Sequence, residues 1–275
     1  MGSSRQYNGR MGKVDQCQVA VVLGYANWKV QPWPLWALVD AETFLPEEWF
    51  GEGYAELWQK VAMPAERDTF ETKPELGLKM IRRAKAGRLP FEAVLYDDLY
   101  GRSSKFRLEL DRNGVLYMAD VPSNLRAYLE KPVIGIPEAK PGRKCPQPQQ
   151  PQVLNGVHSY SVQQVGRLPD ANWQRLRIRT NEHGVLEDQF AARPVWTWDK
   201  EQNEARQEWL AMRIERNGDY TYAFSNAPQE LPFSSWLNCC VDAISSNAPF
   251  KAAKMNKAGT SSRRKSIWLG NTTPP

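Results

Sequence analysis

The sequence is poor in histidine and cysteine: His158 and His183 are its two histidines, and Cys17, Cys145, Cys239 and Cys240 its four cysteines. Two histidines are a poor basis for a His-ligated zinc site. The cysteines show no CxxC spacing, and the adjacent Cys239 and Cys240 are badly placed to bridge each other. No disulfide framework is therefore expected, and a reducing cytoplasm is the default compartment. No apolar run reaches the roughly 18 residues that a spanning helix needs, so no membrane span is read. The opening MGSSRQYNGR lacks the apolar stretch of a secretory signal. It also lacks the Ser or Thr that myristoylation requires at the sixth position.

An excess of one charge is missing from most of the chain as well. The net charge of +5 points to an acidic partner such as nucleic acid. Yet residues 243–275 hold Lys251, Lys254, Lys257, Arg263, Arg264 and Lys265 with no acid, which leaves the other 242 residues at −1. The basicity belongs to a tail.

What is present reads as a mixed α/β protein of 275 residues, enough for one large core or two small ones. The segment 17–28 (CQVAVVLGYANW) is β-branched and apolar and predicts a strand, with 34–46 as its partner. Thr72 and Glu75 predict a capping box, with Pro74 tolerated in the first turn. Leu76, Met80 and Ala84 then share one helical face, and Gly87 is a plausible stop. FEAVLY (91–96) predicts a buried strand, 103–114 a short helix and 115–122 another strand. Residues 131–152, rich in Pro and Gln, read as a linker. Beyond them the pattern is β. Leu210, Met212 and Ile214 alternate before Asn217-Gly218, and Tyr220, Tyr222 and Phe224 alternate after it, which predicts a hairpin with a two-residue turn. Residues 241–275 have no stable period and read as disordered on composition.

The buried strand 91–96 runs straight into Asp97 and Asp98, followed by Tyr100-Gly101. A carboxylate at the end of a central strand can ligate Mg²⁺, and two such ions about 4 Å apart can drive phosphoryl transfer. That site needs several converging carboxylates. On pattern alone, a solvated strand-end acid is the commoner reading.

The segments RQYNGRMGKVDQCQVAVVLGYA, FLPEEW, FETKPELGLKMI, LPFEAVLYDDLYGR, GVLYMADVPSN, VWTW, EWLAMRIE and YAFSNAP occur in one order. Together they resemble the DDE transposases of bacterial insertion sequences, in the subgroup whose third motif follows a Y…R…E…K pattern. The resemblance covers residues 4 to 240. It implies a ribonuclease-H-like (retroviral-integrase-like) core interrupted by a β-rich insertion, and Mg²⁺-dependent cleavage and transfer of DNA at transposon ends. It divides the chain into a partial core (1–130), a linker (131–152), the insertion (153–240) and an irregular tail (241–275).

Carried over by motif, Asp97 is the second catalytic Asp and a metal ligand, and Asp98, Tyr100 and Gly101 complete its motif. The first catalytic Asp should lie on a strand upstream of Arg5-Gln6-Tyr7, and the chain opens at Met1. Asp40, at the end of a strand-like run, falls outside the catalytic set. The catalytic Glu should follow the SNAP region, where the chain has no acid. Ala243–Lys251 can be encoded by the degenerate choice GCT ATT TCG TCG AAC GCG CCT TTC AAA, which, read two bases on, spells Y-F-V-E-R-A-F-Q, the expected third motif. The glutamate codon would then span Ser246 and Asn247. The resemblance therefore implies a truncated, frameshifted relic that retains Asp97 alone and lacks nuclease activity. The lost upstream strand would leave its neighbours with unpaired edges, favouring aggregation or dimer formation. The alternative is a non-catalytic regulator that binds DNA or an intact transposase. Either reading implies DNA as partner, a homo-oligomer or mixed assembly, and a cytoplasmic location.

Overall fold

Residues Ser4–Asn8 (β1) and Lys13–Asn27 (β2) form an antiparallel pair that runs from Ser4 opposite Cys17 to Asn8 opposite Lys13. This description rests on a computed structural model, which describes residues 2–8, 11–27, 35–60, 67–138, 149–181, 184–215, 217–228 and 262–271. The chain divides into two units: Met1–Leu95 with Ser246–Thr273, and Tyr96–Ser245 with Pro274–Pro275.

In the first unit, the expected partner of β2 is strand Leu35–Phe44 (β3), antiparallel from Val19 opposite Phe44 to Asn27 opposite Leu35. Val21 to Ala26 are all buried, so this stretch of β2 is covered on both faces. That explains why it reads as a continuous apolar run instead of an alternating one. After two short 3₁₀ turns, Glu47–Phe50 and Glu52–Tyr54, comes helix Ala55–Lys60 (α1). Trp49 stacks on Tyr54 with centroids 5.0 Å apart, and the Trp58 indole donates to the Trp49 carbonyl at 2.5 Å.

Helix Lys73–Ala86 (α2) starts and stops where the sequence predicts. Thr72 Oγ1 accepts from the Glu75 amide, Glu75 accepts from the Thr72 amide, and the Gly87 amide closes the last turn on the Arg83 carbonyl. Such a cap is worth about 1 kcal/mol. Leu76, Met80 and Ile81 are buried on the face that packs toward β2 and β3, each contributing about 1.5–3 kcal/mol of burial. Strand Ala93–Tyr96 (β4) runs across the boundary at Leu95.

The second unit opens with helices Asp98–Gly101 (α3) and Ser104–Arg112 (α4), the latter capped by the Ser103 hydroxyl, and strand Leu116–Val121 (β5). Short strands Arg126–Tyr128 (β6), Ile134–Gly135 (β7), Gln152–Val153 (β8) and Ser159–Ser161 (β9) follow, then helix Val162–Gly166 (α5). β7 and β8 pair with each other inside the Pro- and Gln-rich stretch. Strands Gln174–Asn181 (β10), Gly184–Asp199 (β11), Glu204–Ile214 (β12) and Tyr220–Ser225 (β13) build an antiparallel sheet in which β13 pairs with β5.

The hairpin at Asn217-Gly218 forms, with Ile214 opposite Tyr220, but its loop is five residues (215–219) instead of two. Gly218, at φ +86°, takes the left-handed position, and the Asn217 side chain accepts from the Asp219 amide at 3.0 Å. The alternation is also less strict than the sequence predicts. Ala211 and Ala223 are buried along with Leu210, Met212, Tyr222 and Phe224, whereas Tyr220 is exposed. Small residues let both faces of this part of the sheet be covered.

Residues Ser262–Asn271 (β14) return to the first unit as a strand. They pair in parallel with β2 over ten residues, from Ser262 opposite Gln18 to Asn271 opposite Asn27, and stand between β2 and β4. Composition marks this tail as irregular, because pairing with a strand some 240 positions away leaves no local sign. Cys17 is buried and free; Cys145, Cys239 and Cys240 lie outside the described residues. Among the described residues no helix is long and apolar enough to cross a membrane.

Candidate active site at the end of β4

The apolar strand β4 stops at Asp97 because the next residues can start a helical turn. Asp97 is extended (φ −74°, ψ 174°), and its Oδ1 caps α3 by accepting from the Leu99 amide at 3.1 Å. Its carbonyl accepts from the amides of Tyr100 and Gly101 at 3.1 and 3.0 Å. Asp97 is half-buried, while Asp98 points outward and forms an ion pair with Arg102 at 3.3 Å.

The rest of the motif packs. Tyr100 is fully buried against Tyr96 and Phe106, and burial followed by the Asp97 charge pushes its phenol well above the usual range. Gly101 lies flat on β5: a Cβ there would stand 1.9 Å from the Asp120 carbonyl oxygen. Only glycine allows that approach.

Beneath the turn lies a buried polar cluster without a local signature in the sequence. Arg107 donates to the Gly101 carbonyl and, through Nε at 2.9 Å, to Glu208. Glu208 also accepts from Thr197, from Tyr117 and, at 3.3 Å, from Arg206. Burial alone would push the Glu208 carboxyl up, but the Arg107 and Arg206 charges with the Thr197 and Tyr117 hydrogen bonds hold it below the usual glutamate range. The cluster ties α3, α4, β5, β11 and β12 together. Asn226, from the SNAP segment, adds a second tie: its side chain accepts from the Tyr117 amide at 2.9 Å and donates to Asp111 at 2.8 Å and to the Val115 carbonyl at 3.1 Å.

Sequence reasoning also missed Asp120, whose carboxyl is pushed up to about 7 by crowding that strips water from it and then by the charges of Asp97 and Asp98, against Arg213. Asp120 is exposed, so water weakens both the loss of hydration and the repulsion from the two like charges, and the direction of the shift is what carries the argument. The sign of its effect on stability follows. Well below pH 4 the carboxyl is neutral in both states; as pH rises from there to about 7, the unfolded chain releases its proton more readily and stability falls. Asp120→Asn is therefore expected to raise the melting temperature at pH 8 and to leave it nearly unchanged at pH 3.5. An equal shift at both pH values would overturn the assignment.

Asp40 is engaged elsewhere, accepting from Arg83 Nε and Nη2 at 3.0 and 2.8 Å, and Arg83 also donates to Glu42. The out-of-frame glutamate position, Ser246 and Asn247, lies outside the described residues. Among the described residues no three His, Cys, Asp or Glu side chains gather as a metal site would require. Asp97, Asp98 and Asp120 feel one another electrostatically, but Asp98 turns to Arg102 and one Asp97 oxygen is a helix cap. These residues do not fit a two-ion centre, and no catalytic step is routed through one.

Comparison with known proteins gives this arrangement its context. The family profile for the DDE superfamily endonuclease matches residues 1–185. The probable transposase for insertion sequence element IS701 of Microchaete diplosiphon is 31% identical over 121 residues, 44% of this chain and 27% of that protein. The match thus spans about a quarter of that relative's length. Members of the superfamily depend on divalent metal. With two thirds of its length matched, and the Asp97–Gly101 turn inside the match, this chain belongs to the DDE superfamily endonuclease family.

Proposed function

We propose that this chain derives from an insertion-sequence transposase that cleaved and transferred DNA strands at transposon ends with divalent metal, and that the 275 residues themselves do not cut. One observation carries the reading. Asp97 is held at the end of β4 by its own turn, yet the acids near it, Asp98 and Asp120, do not complete a metal-binding set. Attack of water or a 3′-hydroxyl on a phosphodiester needs charge neutralised on both the entering and the leaving oxygen, and one carboxylate cannot position the two ions that do this. A shift of reading frame near residue 241 accounts for the missing glutamate. The remaining partner is DNA, bound as a homo-oligomer or beside an intact transposase.

Incubation of the purified chain with supercoiled plasmid and Mn²⁺ is expected to leave the plasmid intact. Nicking that disappears in Asp97→Ala would sink the proposal. Retarded but uncut plasmid would point to the non-catalytic binder that regulates transposition.

A further inference from the structure

The inner position of the first unit's sheet is filled by the strand that arrives last. β14 stands between β2 and β4, and its ten-residue ladder with β2 spans Gln18 to Asn27. Along that span Val19 and the whole of Val21 to Ala26 are buried, so this length of β2 is built as an interior strand. With β14 withdrawn, β2 and β4 would each present an open row of backbone donors and acceptors, a template for any strand of suitable length.

The geometry points to a strand-accepting slot between β2 and β4, filled in one molecule by its own residues 262–271 and, by exchange, by the same residues of a second copy of this chain. One feature favours the second copy as occupant. The ladder is a parallel register of whole residue pairs without a bulge, so an identical strand from another molecule satisfies it equally well. Covalent linkage within one chain gives the chain's own strand an effective concentration in the millimolar range. Self-filling therefore dominates in dilute solution, and exchange appears as protein concentration rises. The slot does not depend on whether the chain cuts DNA.

Two experiments test it. In the first, Asn27→Cys and Asn271→Cys are introduced together at paired positions near the strand ends, with Asn27→Cys and Ser266→Cys as the out-of-register control. Mild oxidation followed by peptide mass mapping is expected to give the 27–271 link within one chain at micromolar protein. The same link between two chains should grow as concentration approaches millimolar, and the control should give neither. No 27–271 link at any concentration overturns the strand, and an intrachain link at every concentration overturns the exchange.

In the second, the full-length Ile267→Pro chain, whose own strand cannot complete the ladder, is mixed with a fluorescent peptide of residues 262–271. The peptide is expected to bind it at least about 100-fold more tightly than it binds the unaltered chain. Equal binding to both chains, or binding of a proline-containing peptide, overturns the slot. If Ile267→Pro does not fold, the cysteine pair decides alone.

Discussion

Glu208→Ala is expected to destabilise the second unit by about 3–5 kcal/mol, the loss typical when one member of a buried ion pair is removed. The Glu208 side chain has no exposed surface, and Arg107 beside it is almost equally buried. Without the carboxylate, two guanidinium groups, Arg107 and Arg206, lose their counter-charge, and Thr197 and Tyr117 lose their acceptor. Glu208→Gln should cost less, since the amide oxygen still accepts although the charge is gone. Joint replacement by apolar residues, Arg107→Met with Glu208→Leu, should be less damaging than Glu208→Ala, because the fully buried Arg107 charge is no longer left without a partner, although Arg206 still loses its own. Urea unfolding followed by far-ultraviolet circular dichroism measures all four chains. A loss below about 1 kcal/mol for Glu208→Ala, the range of exposed pairs, would show that water reaches the cluster.

Gly101→Ala should destabilise by about 3 kcal/mol, the upper end of the overpacking range. The added methyl meets the Asp120 carbonyl, and a strand backbone cannot swing aside as a long side chain does. Relief requires α3 to lift from β5, which would loosen the contact between the Gly101 carbonyl and Arg107 and tilt the cap made by Asp97. Gly53→Ala is the comparison: like Gly101 it has no positive φ, but it has open space around it, so no contact penalty arises. Melting temperatures of the two variants separate the effects. A Gly101→Ala chain that melts within a degree or two of the parent would mean that α3 does not lie on β5 as described.

The sequence is legible wherever one short segment holds the whole cause. The α2 helix begins and ends where it does because Thr72, Glu75 and Gly87 act within a turn of one another. The pairing of β2 with β3 follows from two neighbouring apolar runs, and the turn of Asp97 to Gly101 follows from five consecutive residues. The Arg107–Glu208 pair is different: 101 positions separate its members, and neither stands out among the charged residues around it. Asp120 likewise looks like an ordinary polar position on an alternating strand, and only the fold brings Asp97 and Asp98 close enough to alter it. The five-residue loop at Gly218 departs from the expected two-residue turn because the Asn217 side chain hydrogen-bonds the Asp219 amide. Asn226 was visible as part of a recurring segment but not as the tie between β5 and Asp111.

The place of β14 sets a schedule for making the protein. β4 leaves the ribosome some 165 residues ahead of the strand that stands beside it. At about 5–20 residues per second, the nascent first unit waits roughly ten to thirty seconds for its last component. Slower growth temperatures and a supply of chaperones should therefore improve soluble yield more than any change to the finished molecule's surface.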